Sequence, residues 1–103
     1  MAKLKLTAEP RFSAKVEIPV AGGKPVAVEF RFLHRTKSAL EEFMTTREGK
    51  TDAECVMEMC DGWELDDEFN AANVESLLEN YGGAALSIYK TYVEELLRAK
   101  SGN

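Results

Sequence analysis

One histidine and two cysteines are all that 103 residues offer as soft metal ligands or thiol nucleophiles. A four-ligand zinc site could be completed only with borrowed carboxylates. Cys55 and Cys60 sit amid Asp52, Glu54, Glu58 and Asp61, which disfavour a thiolate, so a Cys-His pair with His34 is a poor nucleophile. The two cysteines, five residues apart on what reads as one helix, point to different faces, which disfavours an internal disulfide. A glycine-rich phosphate loop and a serine elbow are both missing. The expectation is a protein with no enzymatic activity, no cofactor and no metal.

Basic residues are absent from a long stretch. Residues 51–89 carry ten Asp/Glu and no Lys or Arg, whereas residues 1–50 carry ten Lys/Arg against six Asp/Glu. The net charge of −5 therefore hides a central acidic block that repels phosphates, and the first half interleaves its Lys and Arg with Glu. This pattern argues against nucleic-acid binding. No apolar run reaches the roughly 18 residues of a membrane span. The N-terminus has Lys3 and Lys5 but no apolar core like that of a signal peptide. Together these absences predict a cytoplasmic protein that does not span a membrane.

What is present reads as an α+β chain. The length suits a single domain over residues 1–103, with a β-hairpin region at 1–34 and a helical region at 36–100. Leu4 and Leu6 alternate with Lys3 and Lys5, as an edge strand or a mobile arm ended by Pro10. Phe12, Ala14, Val16 and Ile18 then alternate with polar residues, and Val26, Val28, Phe30 and Phe32 resume the pattern beyond Gly22-Gly23. This predicts an antiparallel hairpin with a glycine tip, whose apolar face must pack on helices or on another subunit. Pro19 and Pro25 fall at strand ends, where a missing N–H matters little.

Four helices follow in the pattern. Thr36 caps one with Leu40, Phe43 and Met44 on its inner face, stopped by Gly49. Thr51 to Glu54 is a capping box that opens a second, with Ala53, Val56, Met57 and Cys60 at helical spacing before Asp61-Gly62 ends it. Asn70 caps a third, stapled by Phe69 and Val74 and continued by Leu77, Leu78 and Tyr81. Gly82-Gly83 form an elbow. The fourth places Ala85, Ile88, Tyr89, Tyr92, Val93, Leu96 and Leu97 on one broad stripe, too wide to leave in water, and residues 100–103 read as a frayed tail.

Three clusters bear on function. Asp61, Glu64, Asp66, Asp67 and Glu68 fail as a calcium loop, because Gly62 comes second and Leu65 and Phe69 interrupt the ligands. Acids just before a helix N-terminus explain them without a metal. Trp63, the sole tryptophan, is either a lid over the helices or an interface anchor. Tyr81, Tyr89 and Tyr92 on one helical pair exceed what a short domain needs and leave apolar surface for a partner.

The order W-x-L-D-D-E-F from Trp63, then N-V-x-x-L-L-x-x-Y-x-G-A from Asn73, then a closing amphipathic helix, resembles the tail assembly chaperones of long-tailed bacteriophages. The glycine-tipped hairpin and the phrase Val28-Glu-Phe-Arg-Phe-Leu-His-Arg-Thr36 are similar to members of one such family. One departure is Gly82, where many relatives carry Pro. The resemblance implies a chaperone that binds the tape measure protein, a long helical polypeptide, and keeps it soluble while tail tube subunits assemble. It makes the tail tube protein a further candidate partner. Trp63, Leu77, Tyr81, Ile88, Tyr89, Tyr92 and Leu96 are the residues expected to form the core and groove that take this partner. Self-association is expected as well, by edge-to-edge pairing of the basic hairpin or its contact with a neighbour's acidic block. A structural tail protein retained in the virion and a small regulatory binding module remain the alternatives.

Overall fold

A computed structural model describes residues 4–97. The expectations for Lys3, for the last helix beyond Leu97 and for a frayed 100–103 tail lie outside the described residues. Strand β1 (Arg11–Ile18) pairs antiparallel with β2 (Val26–Leu33), in a register that sets Phe12 opposite Phe32, Ala14 opposite Phe30 and Val16 opposite Val28. Alternation thus puts Phe12, Val16, Ile18, Val26, Val28, Phe30 and Phe32 on one face, with Leu33 at the end of β2 on the other. In the connecting turn Gly22 takes φ 76°, a left-handed conformation that glycine adopts without strain. Leu4 and Leu6 lie in no strand and are fully exposed.

The helical half begins at α1 (Lys37–Thr46), where Thr36 Oγ1 accepts from Ala39 N at 3.2 Å. A 3-10 turn at Arg47–Gly49 ends it. The α2 helix (Asp52–Met59) opens with the expected box: Glu54 N donates to Thr51 Oγ1 at 3.1 Å, and Thr51 N donates to Glu54 Oε1 at 2.9 Å. Asn70 caps α3 (Ala71–Asn80), its Oδ1 accepting from Asn73 N at 2.8 Å. The last helix is α4 (Ala84–Leu97).

The segment after α2 differs from the expectation. Cys60 does not continue the helix, and Asp61-Gly62 is not a turn: Cys60–Trp63 is a third strand, β3, antiparallel to β2 with a bulge beside Arg31 and Phe32. Four residues including Asp and Gly are too short and too poor in β-formers to show a period. Tertiary contacts hold the strand instead. Asp61 is gripped by Arg11 Nε and Arg31 Nε, each at 2.6 Å, and the Trp63 ring stands edge-on to Phe30 with centroids 6.0 Å apart. The buried stripe of α2 is accordingly Cys55, Val56 and Met59, with Ala53 and Met57 only half-buried, and Met44 of α1 is exposed.

One core joins the sheet face to all four helices through Val16, Phe30, Phe32, Leu40, Val56, Val74, Ile88 and Tyr92. The path of α4 is fixed at both ends. A Cβ on Gly83 would lie 3.1 Å from Pro19 Cγ at the end of β1, whereas the Tyr92 ring lies parallel to Phe12 near its start, 6.3 Å between centroids. The helix therefore runs back along β1. This leaves α3 facing the hairpin tip across open space.

Candidate functional site

That space is a groove of about 390 Å³. Its first wall is the hairpin tip, with Ile18, Val20, Val26 and Val28; its second is α3 with its C-cap, through Asn73, Ser76, Leu77, Asn80 and Tyr81. Trp63 at the end of β3, with Leu65 and Asp67 of the β3–α3 loop, closes one end. The volume falls within the range of sites that take a small ligand or a few side chains of a partner. Its lining is mostly aliphatic and aromatic, with an exposed lip at Val26 (53%), Leu65 (36%) and Tyr81 (38%). Trp63 is locked as the end wall: Nε1 donates to Asp67 O at 2.7 Å, and the ring stands edge-on to Phe69, 5.0 Å between centroids. Asp67 puts a carboxylate in the lining at this end, and Asp66 and Glu68 lie exposed beside it on the same loop.

The residues expected from the sequence divide into three groups. Trp63, Leu77 and Tyr81 converge on the groove. Ile88 and Tyr92 are fully buried on the core side of α4, and Leu96 packs half-buried against the same core. Tyr89 sits apart, in a smaller depression beside α2, with the Arg47 guanidinium 3.8 Å above its ring. The hairpin contribution was not anticipated. Its signal is the persistence of apolar residues at Val20 and Val26, where the strand pattern runs out into the turn.

Tyr92 anchors a polar knot beneath the sheet. Its hydroxyl donates to Leu33 O at 2.7 Å and accepts from Arg35 Nη1 at 2.8 Å, and the same Nη1 reaches Glu58 O at 2.9 Å. The Arg35 guanidinium also lies over the Phe43 ring at 4.4 Å. Burial raises the Tyr92 pKa against the opposing pull of Arg35, so the phenol stays protonated and keeps donating. Both cysteines are buried and free. Burial is the main cause that lifts each thiol, with Asp61 adding to it at Cys60 and Asp52 and Glu58 at Cys55, where Arg47 and Lys50 oppose. Such thiols are poor nucleophiles. For Asp61 burial pushes upward, but the hydrogen bonds from Arg31 and Arg11 outweigh it and hold the carboxyl below its ordinary value. Among the described residues no three His, Cys, Asp or Glu side chains gather as a metal site, and no helix is long and apolar enough to cross a membrane.

What the arrangement offers chemically is an apolar slot with Asp67 at one end and the neutral polar side chains Asn73, Ser76 and Asn80 along α3. A family model described as phage tail assembly chaperone matches residues 1–103. Neither a curated protein nor a solved structure matches the chain.

Proposed function

The chain belongs to the phage tail assembly chaperone family, and from that premise we propose that its groove takes an apolar helical segment of the tape measure protein and shields it from aggregation while the tail tube forms. The observation that carries this reading is the groove between hairpin tip and α3, whose lining from Val26 to Tyr81 is left uncovered by the chain's own core. A helix that presents residues at i, i+3, i+4 and i+7 can seat two or three of them there. The acidic loop favours a partner segment that carries Lys or Arg beside its apolar stripe. Rim charges of this kind govern the rate of encounter and leave the contact reversible, as a temporary escort requires.

Co-expression with the tape measure protein tests the proposal. Wild-type chain keeps that protein in the soluble fraction and co-elutes with it. Val26→Asp and Tyr81→Asp, both at the exposed lip, abolish co-elution with little change in helical circular dichroism. Leu86→Asp on the outer side of α4, where Leu86 is 65% exposed, leaves the complex intact. Recovery of the chain from purified virions would favour a retained structural protein instead.

A further inference from the structure

We propose that the free edge of β1 is a self-association site, which joins two copies of this chain across a twofold axis at Ala14 into one continuous six-stranded sheet. The inference is independent of the groove and of its occupant. Strand order is β1-β2-β3, so among the described residues β1 has a neighbour on one side only. The direction of its backbone groups follows from one bond: Pro10 O accepts from His34 N at 2.9 Å. In an antiparallel ladder hydrogen-bonded and non-bonded pairs alternate, so with Phe12 opposite Phe32 the even-numbered residues of β1 bond to β2. The odd-numbered Arg11, Ser13, Lys15 and Glu17 aim their N–H and C=O groups at the open edge. All four are exposed, on the face away from the helices.

Charge selects the register. A second copy can add antiparallel only where odd residues meet odd residues, since an odd-even pairing would turn one sheet's apolar face to water. Centred on Ala14, Arg11 meets the other copy's Glu17 and Ser13 meets its Lys15, each twice by symmetry, with no like charges opposed. One step toward the N-terminus opposes Arg11 to Lys15 and Glu9 to Glu17. One step the other way opposes Lys15 to itself and sets Arg11 against Pro19, which has no N–H to donate, and a further step sets Ser13 against Pro19. The inner face agrees with the choice. Phe12 and Ala14 are only half-buried, whereas Val16, Ile18, Val28, Phe30 and Phe32 are buried. The Ala14 register lays Ala14 against its own copy and Phe12 against Val16, covering the two positions that one chain leaves partly open.

Sedimentation equilibrium of the full chain tests this, with Ser13 as the probe. Ser13→Glu faces Lys15 of the other copy and tightens the dimer, whereas Ser13→Lys opposes it and loosens it, by about fivefold in dissociation constant each way for two symmetric pairs. Ser13→Pro deletes a donor aimed at the open edge and gives a folded monomer by circular dichroism. Ala14→Cys, at a non-bonded pair on the axis, closes an interchain disulfide on oxidation, whereas Ser13→Cys does not. A wild-type chain that stays monomeric at about 100 µM, well above the micromolar range of modest interfaces, overturns the proposal. So does a dimer that tolerates Ser13→Pro, or one that Ser13→Glu and Ser13→Lys shift alike.

Discussion

Tyr92 and Asp61 show how much single side chains hold in this molecule. Tyr92 joins α4 to the end of β2 and, through Arg35, to the end of α2. Tyr92→Phe keeps the ring but leaves Leu33 O and Arg35 short of a partner, so we expect a loss of about 1–2 kcal/mol in urea unfolding. Tyr92→Asp puts a carboxylate among Phe12, Phe32 and Phe43 and should abolish the folded state. Asp61 sets a pH dependence. Its folded pKa is lowered, so its contribution is present above the unfolded pKa and is lost as pH falls through the folded one. Stability should therefore drop below the ordinary carboxylate range, and Asp61→Asn should flatten that acid limb while removing at most about 1 kcal/mol at neutral pH. Neither role was open to sequence reasoning, since Arg35 and Arg11 read as unremarkable basic residues until the fold brings Tyr92, 57 residues away, and Asp61, 50 residues away, against them.

The elements that follow local rules were legible, and those held by distant partners were not. Thr36, Thr51 and Asn70 each cap the helix that their position predicts, because a cap is a contact within four residues. The hairpin strands likewise carry their own period. Strand β3 was missed because its pairing with β2 is what makes it a strand. The groove was half visible: α3 and Trp63 advertise their apolar residues, but the opposing hairpin tip becomes a wall only when α4 folds back along β1. The glycine elbow makes a paired test of that path. A Cβ at Gly82 meets nothing within 4 Å, whereas one at Gly83 meets Pro19. Gly82→Ala should raise stability by about 0.4–1 kcal/mol through the unfolded chain. Gly83→Ala should gain nothing or lose stability as α4 is pushed off β1, a difference readable in thermal midpoints.

For the whole molecule, charge and apolar surface are separated in a way that suits a temporary escort. The acidic block keeps the outside of α2 and α3 polar, while the slot beneath the hairpin tip stays apolar and open. Binding through such a rim should weaken as ionic strength rises from about 0.05 to 0.5 M, because exposed charges are screened over a shrinking distance. Binding by apolar contact alone would hold or strengthen under the same change.

The most direct measurement of the central claim is an amide and indole chemical-shift map of the labelled chain, titrated with an apolar helical segment of the tape measure protein. We predict shifts at Val26, Leu65, Leu77, Tyr81 and the Trp63 indole, with the outer side of α4 from Leu86 to Leu97 undisturbed. Shifts confined to α4, or none at saturating segment, would contradict the account.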